Sequence, residues 1–114
     1  METANPTQPI LVMITAPSKD EGRNISKVLL EKKCAACINI ISPINSLYTW
    51  KGAVEDDEEV LLVVKSRLEL FEDHLIPAVL EVHPYEVPEI IALPIIQGLA
   101  SYLDWIDENT QVEE

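Results

Sequence analysis

Ile10-Leu11-Val12-Met13-Ile14-Thr15 is a nearly continuous apolar run close to the start of the chain. A half-buried strand alternates apolar and polar side chains, so a run without alternation predicts a central strand covered on both faces. Whatever packs on the first face, the second also needs cover.

Downstream, Ser18 and Glu21 have the spacing of a capping box, so a helix is expected to start there. Ile25, Val28 and Leu29 recur at helical spacing, with Lys32 and Lys33 in the expected last turn. Gly22 should cost that helix about 1 kcal/mol. Ala36 to Ile41 reads as a second buried strand, and Ser42-Pro43-Ile44-Asn45-Ser46 as a bend. Leu47 to Trp50 alternates up to Gly52 and reads as the next strand of a long hairpin. Glu55 to Glu59 is expected to be an all-acidic turn, and Val60 to Val64 a further buried strand.

Leu68, Phe71, Leu75, Val79 and Val82 mark a second helix, in which Pro77 should force a kink near Asp73. Glu89 to Ile96 gives a last strand, which Pro94 should end, bulge or confine to an edge. Leu99, Tyr102, Leu103 and Ile106 place a stripe on a C-terminal helix after Gly98. This order predicts an α+β fold, a ferredoxin-like βαβ-βαβ sandwich with an extended β-hairpin and a C-terminal helix, with its helices on one face. The uncovered sheet face then predicts an oligomer.

The 114 residues suit one domain: a flexible leader over 1–9, a single domain over 10–109 and a flexible tail over 110–114. Aromatics are only 5% of the chain, so aliphatic side chains must build the core. A formal charge of −12 disfavours nucleic acid and anionic membranes as partners. No secretory signal is visible, no apolar run approaches the ~20 residues of a membrane span, and only Cys34 and Cys37 are present. The expected location is cytoplasmic, with both thiols reduced.

Three segments carry a family resemblance: Thr15-Ala16-Pro17; Cys37 to Ile41 through Leu47-Tyr48-Thr49-Trp50-Lys51-Gly52; and His83-Pro84-Tyr85-Glu86-Val87-Pro88-Glu89-Ile90-Ile91-Ala92-Leu93-Pro94. Together they resemble the CutA family of divalent-cation tolerance proteins, over about Val12 to Ile106. The resemblance implies a ferredoxin-like homotrimer of the cytoplasm, associated with copper binding, and no established catalytic activity. Some members carry a Cys before Thr-Ala-Pro and a second His before His-Pro. This chain has Ile14 and Val82 there, which removes two soft ligands.

Among candidate sites, His83 with Glu86 and Glu89 offers an imidazole and carboxylates suited to weakly bound copper or another divalent cation. The alternative is a hydrogen-bonded histidine that organises the turn. Trp50, Lys65, Tyr85 and Glu89 are candidates for an intersubunit or effector cleft, with a structural ion pair as the plainer role for Lys65. Cys34 and Cys37 enter a strand, where three extended residues separate Cα atoms by roughly 10 Å, too far for a disulfide. His74 reads as a solvated helix residue, and the acidic run lacks the spacing of a calcium loop. The three glycines form no phosphate loop, and no nucleophile elbow or zinc-protease helix is present. The expected function is therefore divalent metal ion tolerance through weak binding by a homotrimer, without organic cofactor or turnover. The alternative is a signalling or scaffolding trimer that binds a small effector in its intersubunit clefts, as the nitrogen-signalling trimers do. An enzyme using Lys65 and Glu89 as an acid/base pair ranks third.

Overall fold

The computed structural model describes residues 7–112. Strand β1 (Pro9–Ala16) leads into helix α1 (Lys19–Glu31), followed by the long strands β2 (Cys37–Trp50) and β3 (Ala53–Arg67). Helix α2 (Ile76–Val82), strand β4 (Ile90–Pro94) and helix α3 (Ala100–Glu108) complete the order. The strands form one antiparallel sheet in the order β2-β3-β1-β4. The molecule is thus a mixed α+β fold, drawn out to 53 × 26 × 23 Å by the β2–β3 hairpin.

The core lies between the sheet and the first two helices. Ile10, Val12 and Ile14 of β1 alternate with Leu11 and Met13, and the even set meets Val60, Leu62 and Val64 of β3 beneath Ile25, Leu29, Leu75 and Val79. The run 10–15 is therefore sealed on one face, while Leu11 and Met13 stay partly exposed on the other. Helices do not all share one face, contrary to expectation. Arg67, on the opposite face from Val64 and Ser66, donates from Nε to the Thr110 carbonyl at 3.1 Å and to its hydroxyl at 3.0 Å. That anchor draws α3 across the far side of the sheet, where Ile106 is buried outside the main core.

Local chemistry explains the boundaries. Ser18 caps α1 by accepting the Glu21 amide at 3.2 Å. At the other end Cys34 N–H reaches Leu29 O at 2.9 Å and Lys33 N–H reaches Leu30 O at 3.1 Å, with Lys33 at φ 60. This is a Schellman ending, in which the residue past the cap turns left-handed and the next one packs back on the helix. Cys34 fills that packing position, 2% exposed, so it closes a helix instead of opening a redox motif. Gly22 is placed for contact: a Cβ there would lie 3.1 Å from Leu62 and Val60, so α1 approaches β3 where no side chain intervenes.

Three expectations change in the structure. The acidic residues Glu55 to Glu59 are not a turn; they lie inside β3, and the turn is Lys51-Gly52, at φ 53 and 83. Two residues with positive φ match the twist of a tight hairpin, and Gly52 supplies the permissive second position. The bend at Ser42-Pro43 does not end β2 but sits in a register shift between Ile41 and Ile44, with the Ser42–Pro43 peptide cis. The kink before Pro77 takes the form of a 3-10 turn (Leu68–Leu70) and a π turn (Phe71–Leu75), so that Pro77 falls in the first turn of α2. The assigned leader and tail fall partly outside the described residues. Within them, Pro9 already pairs with Arg67 and Thr110 is fully buried, so pairing and packing reach past both assigned boundaries.

Two substitutions test this packing by chemical denaturation. Lys33→Gly relieves the left-handed backbone and should stabilise the protein by about 0.5–1 kcal/mol. Gly22→Leu should destabilise it by about 1–2 kcal/mol, because overpacking against Val60 and Leu62 exceeds the gain in helix propensity.

Candidate functional site

Alternation along β3 puts Glu55, Asp57 and Glu59 on one face, opposite Tyr48, Ser46 and Ile44 of β2. The Tyr48 hydroxyl donates to Asp57 Oδ2 at 2.5 Å. From the other side comes the connector 83–89, which carries the chain from α2 to β4. His83 is the extended residue that ends α2, and the following Pro84 enforces that conformation. Tyr85 then reaches β3, donating its hydroxyl to Glu59 Oε2 at 2.5 Å. Hairpin and connector enclose a groove of about 770 Å³, lined by Thr15, Tyr48, Trp50, Glu59, Tyr85 and Glu89 among others.

Both tyrosines are held in the neutral, donating form. The hydrogen bond to Asp57, then desolvation and the neighbouring carboxylates, push the Tyr48 hydroxyl up to about 12. Burial and the bond to Glu59 push Tyr85 higher still. Glu59 is only 6% exposed. Among the described residues its hydrogen-bond partner is the Tyr85 hydroxyl, and no Lys, Arg or His lies within ion-pair distance.

His83 lies behind this groove with both ring nitrogens engaged. Nδ1 accepts the Tyr85 amide at 3.1 Å, which leaves the proton on Nε2, and that nitrogen donates to Thr15 O at 2.8 Å. The tilted Tyr85 ring packs against it at 4.8 Å. Neither nitrogen then has a free lone pair for the metal expected at His83, and the ring fastens the connector to the end of β1. Among the described residues no three His, Cys, Asp or Glu side chains converge as a metal site. Glu86 and Glu89 do line the groove, both exposed to solvent.

Of the four residues expected in a cleft, Trp50, Tyr85 and Glu89 come together and Lys65 does not. Lys65 pairs across β1 with Leu11, three residues beyond the Leu62–Ile14 pair, about 10 Å along the strand. Its ammonium donates to the Asn39 side chain and to Val63 O at 3.5 Å, so neither the ion pair nor the acid/base pair with Glu89 forms. The Lys51 ammonium stands 5.6 Å from the Trp50 ring centroid. Burial pushes the Cys34 thiol up, away from the thiolate that redox chemistry needs. The residues missed in sequence are Tyr48, Asp57 and Glu59. Residues 55–59 are uniformly acidic and carry no period-two signal; their place in a strand follows from pairing with β2 across the hairpin.

The chain matches the family described as CutA1 divalent ion tolerance protein over residues 10–109. It is similar to the divalent-cation tolerance protein CutA of Thermus thermophilus, 48% identical over 100 residues that cover 88% of this chain and 96% of the relative. A solved structure from Archaeoglobus fulgidus, described as a periplasmic divalent cation tolerance protein CutA, matches with TM-score 0.86 and 45% identity, covering 90% of this chain and 99% of that one. The chloroplastic protein CutA of Arabidopsis thaliana is 41% identical over 97% of this chain, which spans 61% of that relative.

The two tyrosine–carboxylate bonds predict a pH signature. A hydroxyl whose ionisation is raised on folding contributes stability below the ordinary tyrosine range, near 10, and loses it as pH rises through the folded value, about 12 for Tyr48. Ultraviolet phenolate titration should show one transition returning toward the ordinary value in Asp57→Asn.

Proposed function

Because this chain belongs to the CutA1 divalent ion tolerance family, we propose that it acts in divalent metal ion tolerance as a homotrimer that binds the ion weakly and turns nothing over. The observation that carries the binding half is the groove itself, which gathers Glu59, Glu86 and Glu89 on a chain of net charge −12. Exposed carboxylates on separate backbone positions suit a loosely held, partly hydrated cation better than a closed site. With His83 committed to the fold, Glu86 and Glu89 at the mouth are the residues proposed to hold the ion, copper among the candidates.

The trimer is supported by what one copy leaves open. β2 and β4 are sheet edges, and an exposed 14-residue edge strand invites pairing with another chain. Leu47, Val54, Ile91 and Leu93 along those outer strands and the hairpin are exposed large apolar residues. The strand order β2-β3-β1-β4 and the packing of α1 and α2 on one face support a ferredoxin-like arrangement. A cytoplasmic location is part of the proposal. Among the relatives, one is described as periplasmic and another as chloroplastic.

A second reading, a trimer that takes a small effector in its clefts, is favoured by the aromatic lining of the same groove by Tyr48, Trp50 and Tyr85.

Native mass spectrometry should give a trimer. Equilibrium dialysis against copper and zinc should give weak binding that falls several-fold in Glu86→Gln/Glu89→Gln. His83→Ala should instead lower the melting temperature. A monomer, or an affinity unchanged in the double variant, overturns the proposal.

A further inference from the structure

Glu59 poses a physical problem that the metal reading leaves unanswered. A carboxylate 6% exposed has lost most of its hydration, and a single neutral hydroxyl does not replace it. Tyr85 occupies Oε2, while Oε1 has no hydrogen-bond donor among the described residues. Glu59 lines the groove beside Tyr48 and Trp50, so the missing counter-ion has to come from outside this chain's described residues.

We propose that the groove between the β2–β3 hairpin and the 83–89 connector binds a small organic cation, a primary amine or guanidine on a short aliphatic stem. Such a group asks for what the groove supplies. One buried carboxylate oxygen accepts its N–H donors in a charge-assisted bond. Aromatic faces take the rest of the charge and the stem. The Trp50 ring already attracts a cation, with the Lys51 ammonium 5.6 Å from its centroid. A bare divalent ion asks for something else, three or more converging ligands, and no such set exists among the described residues. The volume of about 770 Å³ falls within the roughly 300–1,000 Å³ typical of small-molecule sites and exceeds the needs of a single ion. Glu86 and Glu89 at the mouth suit a second positive end, so a molecule with cations at both ends of its stem fits best.

The cation reaches the site either free or as a basic side chain of a second copy, and the two sources separate in one experiment. Agmatine, which carries a guanidinium and an ammonium on a four-carbon stem, is titrated into the full-length protein by calorimetry and tryptophan fluorescence, with native mass spectrometry alongside. The free source predicts saturable binding to the intact assembly, weakened at least tenfold in Glu59→Gln. That variant keeps an oxygen to accept the Tyr85 hydroxyl and should fold with an unchanged circular dichroism spectrum; Trp50→Leu, which should also weaken binding, serves if it does not. The second-copy source predicts instead that agmatine dissociates the assembly, and that Glu59→Gln removes this sensitivity. Tetramethylammonium, a cation without N–H donors, should bind at least tenfold more weakly than agmatine. The proposal is overturned if agmatine neither binds nor dissociates the assembly, if its effect in Glu59→Gln and Trp50→Leu is the same as in the unsubstituted protein, or if tetramethylammonium matches it. None of these outcomes depends on whether copper or zinc binds at Glu86 and Glu89.

Discussion

The pairing of β1 with β3 is the constraint on which the rest depends. Eight consecutive residue pairs, from Pro9–Arg67 to Ala16–Val60, fix which side chains face the helices. A slip by one residue would turn Val60, Leu62 and Val64 toward the far face and bring Leu61, Val63 and Lys65 under α1. Burying the Lys65 ammonium there without a carboxylate would be costly, so the charge disfavours the wrong register as strongly as the apolar set favours the right one. Gly22 belongs to the same constraint, because the close approach of α1 is possible only where β3 presents Val60 and Leu62 to a residue with no side chain.

The same alternation, continued past the core, builds the groove. Once Val60 points toward the helices, Glu59, Asp57 and Glu55 must point the other way, and β2 in its register faces them with Ile44, Ser46 and Tyr48. Five adjacent acidic residues are tolerated in a strand because the pleat sends neighbours to opposite faces, and the tyrosine hydroxyls give two of them donors. The hairpin therefore carries the chemically distinctive surface of the chain.

Much of this was legible in the residues. The apolar runs located β1 and the inner part of β3, Ser18 and Glu21 located the start of α1, and Pro94 marked the end of an edge strand, where β4 indeed stops. What escaped was set by contacts distant in sequence. The far-side position of α3 depends on Arg67 binding Thr110, 43 residues away, which no local periodicity encodes. The acidic strand resembles a turn in sequence because strand propensity disfavours Asp and Glu, and pairing across the hairpin overrides that propensity. For the site, the grouping of Trp50, Tyr85 and Glu89 was visible as a set. The separation of Lys65 and the commitment of His83 required the register and the ring's hydrogen bonds.

His83 explains why a histidine close in sequence to carboxylates need not bind a metal ion. Its ring must be neutral to hold both of its bonds, since an imidazolium has two donors and no acceptor for the Tyr85 amide. The Nε2 bond ties the connector to Thr15, near the end of the central strand, and the Nδ1 bond sets the backbone from which Tyr85 reaches Glu59. A metal ion bound at either nitrogen would compete with one of these bonds and loosen the wall of the groove it was meant to occupy. The histidine and the carboxylates therefore divide the labour: the ring fixes the position of the tyrosine, and the acidic groups, one buried and two exposed, stay outside the ring's hydrogen bonds.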